Sequence, residues 1–173
     1  VGRIRSLDFS PDGQCLVIGG DGCTAYLLRV VLDLQTGALQ NLRVLKYVER
    51  VDRVYAVQFS PDSTTLAIGG FDGNVAFTSV SSLLSDEASP SLVEVSRSGL
   101  IFCLDWSPDG SFLAIGGSDK YCAIVDNSYE LVHETQRSTS VETVKWNHDG
   151  TYLAIGDREV AILEAGTFDI KCE

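Results

Sequence analysis

Apolar positions in this chain fall in short runs, each stopped by turn-forming residues before a helical stripe can develop. Residues 54–80 display the pattern. "VYAVQF" (54–59) sets Val54, Val57 and Phe59 in the alternation a half-buried strand requires. Ser60-Pro61-Asp62 then predicts a turn, because proline presets φ and the aspartate can accept from its own downstream backbone. "TTLAIG" (64–69) is aliphatic and β-branched without interruption, which suits a strand buried on both faces. Gly69-Gly70 allows a bend or a close approach of backbone, and Asp72-Gly73 is a hairpin signal. "NVAFTSV" (74–80) supplies a third strand.

The same pattern occurs four times. The stretches "IRSLDFSPDGQCLVIGGDG" from Ile4, "VYAVQFSPDSTTLAIGGFDG" from Val54, "IFCLDWSPDGSFLAIGGSDK" from Ile101 and "VETVKWNHDGTYLAIGDRE" from Val141 align with one another. Their aromatic landmarks Phe9, Phe59, Trp106 and Trp146 are spaced by 50, 47 and 40 residues. Each unit needs a fourth strand, and the candidates are residues 42–48, 91–96, 129–135 and, weakest, 167–172. A period of this length, filled with strands, predicts the blades of a propeller. The expected fold is therefore all-β: a partial β-propeller with four blades of four antiparallel strands and essentially no helix. The blades span approximately residues 1–48, 49–96, 97–135 and 136–173 of a single domain. Residues 33–41 and 81–90 break the rhythm and are expected as loops on the outer rim. The chain begins at Val1 and contains no Met, so it is expected to be a piece of a longer protein. Four such blades leave open edges. Missing blades or a second copy are expected to close the ring.

Composition narrows the class of partner. Thirteen basic and 24 acidic residues give a net charge of −11, which favours solubility and basic partners. No clustered basic surface for nucleic acid is expected. The five cysteines (Cys15, Cys23, Cys103, Cys122, Cys172) lack CxxC spacing and His companions, and most lie in apolar runs. That usage fits a reducing compartment, so the expected location is intracellular, cytoplasmic or nuclear. No disulfide framework is expected; Cys15 and Cys23 flank a predicted hairpin and could approach each other, but a bond between them is not the expectation. No apolar run approaches the ~20 residues that span a bilayer, and no membrane association is evident.

The recurring "FSPDG…LAIGG…DG" core resembles the WD-repeat (Trp-Asp repeat) β-propeller family over nearly the whole chain. Departures are as regular as the match. The Trp-Asp that often ends the family's third strand is absent; the matching positions are taken as Leu32-Asp33, Ser79-Val80, Val125-Asp126 and Leu163-Glu164. The family's His, four residues before the inner strand, is replaced by Arg50, Arg97 and Arg137. In the family that His bonds an Asp in the turn between second and third strands. Asp72 and Asp119 match this Asp, with Asp21 and Asp157 as counterparts in shortened turns. The family's polar relay also uses a second-strand Ser or Thr, where this chain has Ile18, Ile68, Ile115 and Ile155. An arginine fork can replace the relay. The expected structural pairs are Arg50 with Asp72, Arg97 with Asp119 and Arg137 with Asp157.

Candidate chemistry is sparse. His133 falls in an outer strand and His148 replaces proline in the fourth turn. Asp12, Asp62, Asp109 and Asp149 recur once per unit, which marks them as turn formers and not as an acid–base pair. Some propeller hydrolases hold a metal in the channel. The matching inner-strand starts here (Arg3-Ile4, Arg53-Val54, Leu100-Ile101, Ser140-Val141) offer no ligand set, so no metal, cofactor or catalytic residue is expected. Binding through loops on a rigid scaffold remains. The expected contact residues are Phe71, at a loop tip, with Arg53, Leu100 and Tyr121. The leading expectation is a non-enzymatic interaction scaffold or regulatory subunit that takes a protein or peptide, basic ones favoured. Alternatives are a hydrolase- or lactonase-like propeller and a regulatory domain of a larger enzyme.

Overall fold

The structure, a computed structural model, describes residues 2–33, 35–85 and 90–172. Four sheets follow one another along the chain. The first holds β1 (Ile4–Phe9), β2 (Cys15–Gly20), β3 (Thr24–Leu32) and β4 (Leu39–Glu49). The second holds β5 (Val54–Phe59), β6 (Thr65–Gly70), β7 (Asn74–Ser79) and, after the short helix α1 (Val80–Leu84), β8 (Val93–Ser96). The third holds β9 (Ile101–Trp106), β10 (Phe112–Gly117), β11 (Tyr121–Asp126) and β12 (Leu131–Gln136). The fourth holds β13 (Thr143–Trp146), β14 (Tyr152–Gly156), β15 (Val160–Glu164) and β16 (Ile170–Cys172). Each sheet is an antiparallel meander in sequence order. The first strands lie side by side in the row β1, β5, β9, β13. This is the radial arrangement of a partial propeller.

The core consists of three apolar layers between successive sheets. Their thickness is set by the glycine after each second-strand isoleucine. A Cβ on Gly19 would lie 2.4 Å from Val54, one on Gly69 2.6 Å from Ile101, and one on Gly116 2.5 Å from Val141. No larger residue lets the next sheet approach. A second device crosses the same junctions near the inner edge. The backbone N–H of Phe59 donates to Asp8 Oδ2 (2.8 Å), that of Trp106 to Gln58 Oε1 (3.1 Å) and that of Trp146 to Asp105 Oδ2 (2.6 Å). The polar residue before each landmark aromatic thus reaches across to the next one. Lys145, at that position in the fourth sheet, turns back to Asp105 Oδ1.

Junction burial also shows where the row ends. Val54, Val57 and Phe59 are at most 4% exposed, whereas their first-sheet equivalents Ile4, Leu7 and Phe9 are 50–58% exposed. Among the described residues, no sheet covers the free side of β1.

Two expectations from sequence need correction. Residues 81–90 do not begin as a plain loop: Ser79 caps α1 by accepting from Ser82 N (3.0 Å), and Leu83 is buried in the layer between the first two sheets. Residues 86–89 of that stretch lie outside the described residues. The third-strand dipeptides also shift. Cys15 pairs with Arg29, Thr65 with Ser79, Phe112 with Asp126 and Tyr152 with Glu164. The equivalents are therefore Leu28-Arg29, because β3 runs past its partner β2, and Thr78-Ser79, because Thr65 pairs with Ser79, not Leu32-Asp33 and Ser79-Val80. All five cysteines are free.

Candidate functional site

Each arginine before an inner strand occupies a junction between two turns. The backbone N–H of Arg50 donates to Cys23 O, that of Arg97 to Gly73 O and that of Arg137 to Lys120 O, all in the sheet just completed. Their side chains reach forward into the next sheet. Arg50 Nη2 lies 2.7 Å from Asp72 Oδ2, Arg97 Nη2 2.9 Å from Asp119 Oδ2, and Arg137 Nη2 3.3 Å from Asp157 Oδ1. All six side chains are at most 10% exposed. The free ends of two arginines also meet an outer-strand carboxylate: Arg50 Nη1 lies 2.5 Å from Glu94, and Arg97 Nη1 contacts Glu134. One guanidinium therefore joins an outer strand, a linker and the following turn.

The aspartates are set by their turns. Asp72 Oδ1 accepts from Asn74 N, Asp119 Oδ1 from Tyr121 N and Asp157 Oδ1 from Glu159 N, at 3.0–3.1 Å. The Glu159 backbone N–H, with Arg137 adding to it against the cost of burial, holds the Asp157 carboxyl at about 2.

Asp21 does not belong to this series. Asp21, Phe71 and Ser118 each donate their backbone N–H to the residue before the inner strand (Arg3, Arg53, Leu100), so they are structural equivalents. Gly22 then falls where Asp72 and Asp119 lie. Counting from Asp-Gly missed this because the first turn has one residue fewer before its Asp. Asp21 instead pairs with Arg5, whose Nε lies 2.9 Å away. Arg5 was missed; the signal is its place on β1, which is the position that Tyr55 holds on β5.

At this same end lies an array of rings and guanidinium groups. Tyr55 stacks on Phe71 with centroids 4.6 Å apart and is 6.1 Å from Phe102. Arg5 Cζ lies 4.9 Å from the Tyr55 centroid, and Arg53 Cζ 5.7 Å from that of Phe71. Arg53 is exposed, while Phe71, Tyr55 and Phe102 are half-buried. The structure thus brings Phe71 and Arg53 together. It places Leu100 and Tyr121 beside the next turn: Leu100 N donates to Ser118 Oγ (2.8 Å) and Tyr121 N to Asp119. Tyr55 and Phe102 were not anticipated, because on β5 and β9 they read only as alternating strand residues.

Elsewhere the polar side chains hold turns. Ser10, Ser60 and Ser107 each donate to the following turn Asp at 2.5–2.6 Å. The half-buried His133 stacks on Phe168 (5.1 Å), and its Nε2 lies 3.0 Å from Thr135 Oγ1. Burial pushes the Cys103 thiol up to about 12 and the Cys122 thiol upward as well, which makes both poor nucleophiles.

Four-stranded meanders stacked face to face, tied at each linker by an ion pair to the next turn, define a repeat protein of the propeller class. Residues 1–27, 44–77 and 92–126 match the family model "WD domain, G-beta repeat", and the chain belongs to that family. The fourth unit is outside the match, yet it folds into the same sheet. It has lost the second glycine, and His148 stands in the place of proline. WD repeats generally serve as scaffolds for protein–protein interaction. No curated protein matches the chain.

Proposed function

We propose that this chain is a non-enzymatic interaction module that presents Phe71, on a second-to-third-strand turn, and Arg53, in the linker before β5, to a protein or peptide partner. The observation that carries the reading is the array Arg5–Tyr55–Phe71–Arg53. It combines half-buried rings, held in place by stacking, with guanidinium groups, the residue types that dominate binding energy at interfaces. Preorganised rings lose little entropy when a partner packs on them. The net charge of −11 speeds encounter with basic segments more than it deepens affinity. Leu100 and Tyr121 extend the surface onto the third sheet. The family's general use in protein–protein interaction supports a scaffold or regulatory-subunit role, and the five free cysteines support a reducing, intracellular setting.

Peptides selected from a random displayed library against the chain, then measured by fluorescence anisotropy, test this. Phe71→Ala and Arg53→Ala should each weaken binding by about tenfold or more while leaving the unfolding midpoint near that of the parent. Selected peptides that bind both variants as they bind the parent would remove this surface from consideration.

A further inference from the structure

Among the described residues, the row of sheets ends on two uncovered faces. Each is one half of an interface that the chain builds three times internally. At the first end, Phe9 pairs with Leu16, Leu16 with Leu28 and Leu28 with Val44. Directly paired residues share a face of a sheet, so one apolar row crosses all four strands. Leu7 lies on the same face, as does Ile4, whose second-sheet equivalent Val54 is buried in the first layer. Ile4, Leu7, Phe9 and Val44 are 50–58% exposed.

At the last end, Ala154 pairs with Ile162 and Gly156 with Val160. The equivalent pairs are Ala67–Phe77 and Gly69–Val75 in the second sheet, and Ala114–Ile124 and Gly116–Cys122 in the third. Those residues are buried against the sheet that follows, whereas Val160 is 58% exposed. Gly19, Gly69 and Gly116 each receive a branched side chain at the entry to the next sheet, from Val54, Ile101 and Val141. Gly156 is fourth in that series, and a Cβ there would meet only Thr143 of its own sheet within 4 Å. Ile4 heads the matching series of branched residues. The chain thus carries a socket without its knob at one end and a knob without its socket at the other.

We propose that two copies of this chain associate head to tail, the first sheet of each packing on the fourth sheet of the other, to close a ring of eight sheets. Eight lies within the usual range of propeller blades, and a head-to-tail contact makes a ring when its rotation closes. Six residues on each of four strands span about 20 by 19 Å, so the four faces of a closed pair bury about 1,500 Å2, the size of an ordinary stable interface. Lys145 limits the affinity. Asp8, Gln58 and Asp105 each accept the N–H of the next sheet's landmark aromatic, but Lys145 holds that position in the fourth sheet and its ammonium only donates. The Phe9 N–H of the second copy is left without its acceptor. A net charge of −11 on each copy adds repulsion. The association is therefore reversible, and the dilute chain is monomeric.

Sedimentation velocity of the full 173-residue chain, from micromolar to near-millimolar concentration, tests this. The 18.7 kDa chain should convert to a species of twice that mass, and added salt should promote the conversion by screening the repulsion. Leu7→Asp and Val160→Asp replace side chains that are each 58% exposed, so both variants should fold as the parent does and stay monomeric. An equimolar mixture of the two should recover part of the association, because one of its two contacts joins intact faces. Phe9→Ala should weaken association by about tenfold or more while leaving the unfolding of the dilute chain almost unchanged. Lys145→Gln copies Gln58 and supplies the missing acceptor, so it should tighten association by about threefold to tenfold relative to Lys145→Met. A chain that stays monomeric throughout overturns the proposal. Loss of association in Leu7→Asp with none in Val160→Asp also overturns it, because first sheet would then pack on first sheet. Growth beyond two copies does the same, because the ends would then stack without closing.

Discussion

Arg97→Met removes a guanidinium from between Asp119 and Glu134 while keeping most of the side-chain volume. Asp119 then loses two hydrogen bonds, from Arg97 Nε at 3.1 Å and Nη2 at 2.9 Å, and keeps only that from Tyr121 N. Its side chain is 5% exposed, so water cannot replace what is lost. Removing one partner of a buried pair costs about 3–5 kcal/mol, mainly from the charge left behind. Glu134 is 35% exposed and resolvates readily, which puts the expected loss near the lower figure, about 3 kcal/mol. For a chain of this length that corresponds to a fall in melting temperature of about 6–12 °C. Asp119→Leu should cost a similar amount, because it leaves the cation uncompensated. The double variant removes both charges and should lie within about 1 kcal/mol of the parent, since apolar groups of similar volume often replace a buried pair without loss. Urea unfolding followed by tryptophan fluorescence, with the denaturant slope checked for constancy across the four proteins, measures the cycle. Single-variant losses that add to within about 0.5 kcal/mol in the double variant would mean Arg97 and Asp119 act independently, and the reasoning fails.

Three further outcomes follow from the same structure. A Cβ on Gly70 would lie 2.0 Å from the carbonyl of Arg53, which is backbone and cannot move aside, whereas one on Gly166 meets nothing within 4 Å. Gly70→Ala should cost at least about 3 kcal/mol and Gly166→Ala less than about 0.5 in chemical unfolding; comparable losses would refute the close-approach argument. Phe59→Ala should cost about 3–5 kcal/mol, because the ring is 3% exposed, whereas the equivalent Phe9→Ala, at 55% exposure, should cost under about 1; equal costs would mean the free side of β1 is covered in solution. The Asp157 carboxyl sits at about 2 in the folded chain, below its unfolded value of about 3.9, so its contribution is fully present above about pH 4 and is lost as pH falls through about 2. The stability gap between the parent and Asp157→Asn should therefore be constant from neutral pH down to about 4 and narrow below it. A gap that instead narrows on going from pH 4 to pH 7 would show that the carboxylate is not the stabilised form.

The number of sheets, their four-stranded makeup and their turns are all written in local pattern. Alternation specifies strands, Ser-Pro-Asp and Asp-Gly specify where they reverse, and both signals act within a few residues. The arginine slot was legible for a related reason: three units repeat it at a fixed offset from the inner strand. What lay beyond the sequence depended on register or on contacts between units. In a first turn of the same length, an Asp-Gly set one position earlier put Asp21 in the place of Phe71, and no local rule indicates which of two neighbouring positions faces the linker. Tyr55 and Phe102 became part of a surface only once their strands lay side by side, because a strand residue acquires its neighbours from the adjacent sheet.

Strand and turn preferences are properties of short segments, so a repeat of β-meanders with an acidic net charge is legible from the chain alone. That Phe9 is exposed while Phe59 is buried, and that Thr65 leaves a cleft beside Trp106 where Phe112 leaves none beside Trp146, emerges only in the folded arrangement of the sheets. Like residues in like repeats differ there because burial is conferred by the sheet alongside, and among the described residues the first sheet has no neighbour on one side.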